Sequence, residues 1–440
     1  MSRLLSLALV FFMPFWVAAQ DLAYTEIRLP GHIRADNNVV FSADGKYGFI
    51  ASYLRSDASV GDEVYSFDTR TGRIVDVRDV QFYPTAVAIE KRSNTLVVSG
   101  SSADFPVNAR LHILRAGSDG RFVDSTLVNI PVPMASEDDL IPSEVELSDG
   151  YALYCNKQAL YSISLHARNG YSAGQIVDMV EIVPFEEYAM NNRLMGIDYH
   201  AATGTIAVIW QRANESFSIL LYKLNLFAGN LQPVVVNRWS ERVNEVALPM
   251  GELIGLGSNV EFNYNATQFY VVSSSSGTIY SYSIHHGGGL VVKAVIEQLA
   301  DGAIQSALKS PRKLVYRSST LDPKEGFFYI SRPFGISRPF GFKPSSVIIV
   351  DSRDGSVVAK QNFSENEDLM IGVSHDGSKA YIGLRSGALY CLDAIQGQLT
   401  LVTYLPEGLL SLTYEERVKL VAVTAMKDNA GTVQLLKVNE

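Results

Sequence analysis

Val39-Val40-Phe41-Ser42-Ala43-Asp44-Gly45-Lys46-Tyr47-Gly48-Phe49-Ile50 joins an apolar strand, a tight polar turn and a second strand of aromatic and aliphatic residues. The same form returns as Ile371-Gly372-Val373-Ser374-His375-Asp376-Gly377-Ser378-Lys379-Ala380-Tyr381-Ile382. One such unit cannot cover its own apolar faces and must stack on neighbouring copies. The chain therefore reads as a modular all-β architecture.

Each unit reads as four strands, A to D. The C-to-D hairpin is closed by a recurring turn: Phe67-Asp68-Thr69-Arg70-Thr71-Gly72, Val350-Asp351-Ser352-Arg353-Asp354-Gly355 and Leu392-Asp393-Ala394-Ile395-Gln396-Gly397. Asp opens it by bonding back to the local backbone and Gly takes the positive φ. These residues are structural in this reading, because the acidic spacing of a calcium loop ending in Glu is missing. A strands are expected to start near Asn38, Thr85, Ser143, Leu194, Asn259, Leu314, Leu369 and Leu409. That spacing predicts eight blades, with seven as the alternative. The last unit has only three evident strands, at 409–414, 418–424 and 432–438, while 24–29 is a lone strand near the other end. Closure by that N-terminal strand removes the exposed sheet edges.

Residues 1–19 read as a cleaved signal peptide. Arg3 precedes an apolar run from Leu4 to Val17, and Val17-Ala18-Ala19 offers small side chains for cleavage. The run is shorter than the ~20 residues that span a bilayer, and no later stretch is long and apolar enough to do so. A single domain over 20–440 is expected, periplasmic or extracellular, and monomeric. A net charge of −9 with both signs interspersed argues against a nucleic-acid surface. Cys155 and Cys391 fall on opposite sides of an eight-membered ring, too far apart for a disulfide, so two buried free thiols are expected.

The stretches 42–52 (Ser-Ala-Asp-Gly-Lys-Tyr-Gly-Phe-Ile-Ala-Ser), 263–273 (Asn-Tyr-Asn-Ala-Thr-Gln-Phe-Tyr-Val-Val-Ser) and 322–331 (Asp-Pro-Lys-Glu-Gly-Phe-Phe-Tyr-Ile-Ser) resemble the turn and B strand of the YVTN-type β-propellers. That group includes the lactonase-like and surface-layer-associated propellers of bacteria. The resemblance covers nearly the whole mature chain and implies a single propeller of four-stranded blades. The namesake tetrapeptide does not occur intact. Such repeats serve hydrolases, electron-transfer subunits and binding proteins alike, so the scaffold does not fix the function.

Loop length is the sharpest functional clue. A-to-B and C-to-D turns are short, whereas the B-to-C segments 52–62, 99–109 and 332–345 and the D-to-A segments 131–142, 184–193, 239–257 and 298–311 are long. In a four-stranded blade these two classes emerge on one side of the disc, the side expected to carry function. At the channel mouth on that side the alignment places Asn37, Thr85, Ser143, Glu144, Arg193, Ser258, Asn259, Arg312 and Asp368. Two guanidinium groups among carboxylates and neutral donors suit a small polar or anionic ligand. The tandem hexapeptide Ile330-Ser331-Arg332-Pro333-Phe334-Gly335, Ile336-Ser337-Arg338-Pro339-Phe340-Gly341 places Arg332, Phe334, Arg338 and Phe340 on one B-to-C connection, as a hairpin or lid for a partner.

Of the seven histidines, His166, His200, His285, His286 and His375 are expected on the opposite, minimal face. That argues against a metal centre or a Ser-His-Asp triad among the long loops. No Cys-x-x-Cys-His haem attachment sequence, Trp-Asp blade pair or sialidase-type box occurs, and no metal or cofactor is expected. The expected function is non-catalytic binding of a small ligand or a protein partner. The alternative is a lactone hydrolase of the 6-phosphogluconolactonase type, with Glu144 or Asp368 as base beside Arg193 and Arg312.

Overall fold

The structure, a computed structural model, describes residues 24–33, 38–53, 62–101, 108–133, 145–183, 193–201, 203–212, 217–236, 242–247, 259–262, 268–272, 278–285, 289–298, 314–318, 326–332, 335–337, 341–343, 346–351, 357–363, 369–374, 378–393 and 396–438. Between 259 and 359 the backbone alone is described, save for the side chains of Val347 and Ile349.

Among the described residues eight antiparallel blade sheets follow one another, each running from an innermost to an outermost strand, and one two-stranded sheet stands apart from them. Blade 1 comprises Val40–Phe41, Tyr47–Ser52, Glu63–Asp68 and Ile74–Asp79, and blade 2 comprises Tyr83–Glu90, Thr95–Ser101, Asn108–Ala116 and Phe122–Pro133. The innermost strands of blades 3 to 7 begin at Val145, Arg193, Asn259, Leu314 and Leu369, within two residues of expectation. Blade 8 contains Ser411–Glu415, Leu420–Lys427 and Ala430–Lys437, and its outermost strand is the N-terminal segment Tyr24–Leu29. That strand pairs in register from Tyr24↔Leu436 to Leu29↔Gly431. Eight blades closed by the N-terminal strand are thus observed.

The middle strands carry apolar residues on both faces because each blade is sandwiched between two others. In Thr95–Ser101 every residue is buried; Leu96 and Val98 join the core shared with blade 1, while Val97 joins the core shared with blade 3. The outermost strand Ile74–Asp79 is half-buried to exposed throughout, since it meets neighbours on one side only.

The recurring turns behave as read. Asp68 Oδ1 accepts from the backbone N–H groups of Arg70 and Thr71 at 3.0 and 2.7 Å, and Gly72 has φ +70°. Asp393 Oδ1 accepts from Gln396 N at 2.8 Å, and Gly397 has φ +65°. Gly48 is required by packing, because a Cβ there would lie 2.3 Å from the Phe67 ring.

Three details depart from expectation. The C-to-D connection of blade 3 is long, running from Ser164 to Ile176 around a small hairpin in which Arg168 and Tyr171 exchange backbone bonds across Asn169 and Gly170, both at positive φ. The outer strand of blade 4 is split. Leu231–Pro233 pairs with one end of Phe217–Leu224, and Glu245–Ala247, within a stretch read as loop, pairs with the other. Neither Cys155 nor Cys391 is in a disulfide; Cys155 is buried as expected, but Cys391 is only half-buried.

At the boundary of blades 1 and 2, His112 is 7% exposed and its Nδ1 has no hydrogen-bond partner. Burial, reinforced by the Arg78 guanidinium and opposed by Asp79, pushes its pKa down to about 4. The unfolded chain therefore takes up a proton near pH 6.5 that the folded chain refuses until about pH 4. This contribution to stability is complete above pH 6.5 and is lost as pH falls towards 4. Allowing for residual water access, it amounts to about 2 kcal/mol. Urea unfolding of wild type and His112→Gln between pH 7 and 4.5 is expected to show a shallower pH slope in the variant. Parallel slopes would contradict the assignment.

Candidate functional site

The two faces of the ring differ in how the chain crosses them. On one face, strands ending at Glu90, Ser148, His200 and Glu415 are followed by strands starting at Thr95, Tyr151, Thr205 and Leu420. On the other, strands ending at Ser52, Pro133, Glu181, Ala247, Gln298 and Arg332 are followed only at Glu63, Val145, Arg193, Asn259, Leu314 and, within the sheet, Ser346. Exceptions on the loop-rich face are the short B-to-C turns of blades 3, 7 and 8, after Cys155, Leu384 and Lys427, and the short D-to-A connection of blade 1 from Asp79 to Tyr83. The elaboration is concentrated on blades 1 to 6.

The described part of the mouth is built around an aromatic cluster. Tyr53 follows the second strand of blade 1, Tyr83 opens the innermost strand of blade 2, and His32 lies just beyond the closing strand. The rings of Tyr53 and Tyr83 are 4.7 Å apart, and those of His32 and Tyr53 are 5.7 Å apart. All three side chains are half-buried. His32 N donates to Tyr53 O at 2.7 Å and Tyr53 N donates to His32 O at 2.9 Å, so the N-terminal segment is tied to blade 1. This approach requires Gly31, where a Cβ would lie 2.8 Å from Tyr53 O.

Thr85 occupies a bulge between Pro84 and Ala86 in the same innermost strand. It is buried, and its hydroxyl donates to Ser99 O at 3.1 Å. Blade 4 has a register shift at the equivalent level, between Leu194 and Gly196. A bulge re-aims the strand end at a rim.

Arg193 and Asn259 stand at the first positions of the innermost strands of blades 4 and 5. The strand of blade 4 is held by an unusual polar turn in blade 3. Asn156, Lys157 and Gln158 are all buried; Lys157 O accepts from Leu194 N at 2.8 Å, and Gln158 O accepts from Ile182 N and Val183 N. Asn37, Ser143, Glu144, Ser258, Arg312 and Asp368 lie outside the described residues, as do Phe334, Arg338 and Phe340. Arg332 ends the second strand of blade 6. Beyond it, Gly335–Ser337 pairs with Gly341–Lys343 in a separate two-stranded sheet.

A second rim feature welds blade 3 to blade 4. The guanidinium groups of Arg212 and Arg242 lie 4.5 and 4.4 Å from the Trp210 ring. Arg212 also pairs with the nearly buried Glu245, which accepts from Ser218 Oγ at 2.6 Å, and Arg242 donates to Ile182 O at 3.1 Å. Stacked guanidinium groups and a charge-assisted bond make this rim rigid.

His166, His200 and His285 fall on the minimal face as expected. His32, which the sequence reading left out of account, lies on the loop-rich face. The signal that could have found it is its place just after the closing strand, where the chain must cross that face to reach blade 1. Among the described residues, no group of three or more His, Cys, Asp or Glu residues could hold a metal ion.

Comparison with solved structures now fits this geometry. BamB from Moraxella catarrhalis is similar with a TM-score of 0.50 and 15% identity, over 94% of this chain and 99% of that one. The Dos1 propeller gives a TM-score of 0.58 at 10% identity, over 95% and 96% of the two chains. This chain is a β-propeller. The C-terminal WD40 domain of Sif2 is a further neighbour of the propeller, with a TM-score of 0.52 and 12% identity over 95% and 99%. At these identities the likeness is one of fold. No protein-family model matches the propeller, and a sequence search of characterised proteins finds no match. Among the described residues, no helix is long and apolar enough to cross a membrane.

Proposed function

We propose that the chain is an exported propeller that binds a small polar or anionic ligand, or a protein partner, through its loop-rich face and without catalysis of its own. The observation that carries this reading is the asymmetry of the connections: the longest, after Pro133, Glu181, Ala247, Gln298 and Arg332, lie on one face, and those on the other are shorter apart from the blade 3 loop. Neutral lengthening would act on both faces. The His32, Tyr53 and Tyr83 rings offer a partly open aromatic surface at the same mouth. In this reading Asn37, Thr85, Glu144, Arg193, Asn259, Arg312 and Asp368 are the candidate ligand contacts. The connection that carries Arg332, Phe334, Arg338 and Phe340 is the candidate partner loop. Export rests on the charged and apolar pattern of residues 1–19.

The test is a thermal-shift and calorimetric screen of the mature protein against sugar acids, phosphosugars and their lactones. Hits are repeated on Tyr83→Ser and Arg193→Ala, with Lys46→Ala on the minimal face as control. Ligands that lose at least about tenfold in affinity in the first two variants and none in the third are expected. A screen in which no bound ligand loses affinity in either loop-face variant would refute the reading.

A further inference from the structure

The minimal face has one place that is not minimal. The blade 3 connection from Ser164 to Ile176 is pinned on its blade 4 side by Arg168, which donates to Asp149 O at 2.7 Å and Leu226 O at 3.1 Å and lies 4.8 Å from the Tyr151 ring. On its blade 2 side it rests against the outermost strand. Gly174 has φ +77°, and a Cβ there would lie 2.5 Å from Thr126 Cγ2. Loop and strand border a pocket of about 250 Å³, open to solvent on one side, between blades 2 and 3. Its polar lining comprises Thr95, Arg115, Asp124, Ser125, Thr126 and His166, over a floor that includes Ile113 and Leu165.

Thr95 Oγ1 accepts from Ser93 Oγ at 2.8 Å and Asp124 Oδ1 from Ser125 N at 2.9 Å, but Arg115 is loosely held. The Arg115 guanidinium makes only a loose 4.0 Å ion pair with Asp124, and it is 55% exposed. Most charged groups around it are engaged: Arg92 pairs with Asp149 at 2.8 Å, and Glu90 accepts from Arg92 N and Ser93 N. The cavity is smaller than the ~300–1,000 Å³ of drug-sized sites, so its occupant has the size of one sugar ring.

We infer that this cavity is a second binding site, independent of the loop-rich face, for a small hydroxylated carboxylate of the sugar-acid class. Arg115 would take the carboxylate through its guanidinium fork, with His166 beside it. Asp124, Ser125 and Thr126 would take hydroxyl groups, and the apolar floor the C–H face. Burial first, helped by Arg115 and Arg168 and opposed by Glu90 and Asp149, holds the His166 pKa below its ordinary value. A bound carboxylate favours its protonated form, so binding takes up a proton and tightens as pH falls.

Calorimetric titration of the full mature chain with glucuronate at pH 7.5 and 5.5, with glucose as the neutral probe, tests this. Saturable binding of glucuronate but not glucose is expected, several-fold tighter at pH 5.5. Arg115→Gln, at an exposed position that should not affect folding, is expected to weaken it about tenfold, and His166→Gln to remove the pH dependence. Gly174→Ala, which drives the loop off blade 2, should abolish it. No saturable binding up to about 10 mM, or binding that is unchanged in Arg115→Gln and lost in Arg193→Ala, would overturn the proposal; the latter would place the ligand on the other face.

Discussion

Removal of residues 24–29 is expected to abolish cooperative folding. Ile27 and Leu29 are 3% and 0% exposed and pack in one core with Ile50, Tyr65 and Phe67 of blade 1 and Val433 and Leu435 of blade 8. Leu29→Ala alone should cost about 2–5 kcal/mol, the range for emptying a buried leucine site. Deletion removes both side chains and the whole ladder from Tyr24↔Leu436 to Leu29↔Gly431. It also leaves the edge strand of blade 8 open to pairing with other chains. Against a typical total stability of ~5–15 kcal/mol, that loss is decisive. Urea unfolding followed by circular dichroism, with size-exclusion chromatography, checks it. The truncated chain should show no sharp transition and should self-associate; a cooperative transition close to that of the full chain would mean that the strand is not the ring's closure.

The second large effect lies at the candidate site. Gly100, in the second strand of blade 2, sits behind the start of the innermost strand. A Cβ there would lie 2.1 Å from Tyr83 O and 2.5 Å from the Phe82 ring. The obstacle is backbone, which cannot rotate away, so Gly100→Ala must push the innermost strand inward. The expected destabilisation is about 3 kcal/mol, at the upper end for overpacking. Because Tyr83 is on the displaced strand, its 4.7 Å packing against Tyr53 should loosen as well. Loss of denaturant stability together with changed tyrosine fluorescence is the predicted pair of results. A variant as stable as wild type would show that the two strands are further apart than described.

Much of this fold was legible in the sequence because its signals are local. Asp68 and Gly72, or Asp393 and Gln396-Gly397, place each C-to-D turn through bonds within a few residues. The doubly buried middle strands announce themselves as apolar runs, as in Leu96-Val97-Val98. Where the strands lost that signature, the reading failed. The outer strand of blade 4 packs on one side only, and its two pieces, Leu231–Pro233 and Glu245–Ala247, are too short to carry a pattern. The long blade 3 loop was readable in principle, since Asn169-Gly170 is a strong hairpin turn signal, but the expectation of a short turn overrode it. The candidate site was legible only as a face. Arg193 and Asn259 could be placed at strand starts by counting, whereas the meeting of His32, Tyr53 and Tyr83 comes from three segments joined by the ring closure and the bulge at Thr85. No linear pattern encodes that convergence.

The most direct test of binding without turnover is hydrolysis by the purified protein across sugar lactones and phosphosugar lactones, with Arg193→Ala and Arg312→Ala alongside. Rates equal to spontaneous hydrolysis in all three proteins are predicted. Turnover above that rate which disappears in either variant would contradict the account and make the mouth of the channel an active site.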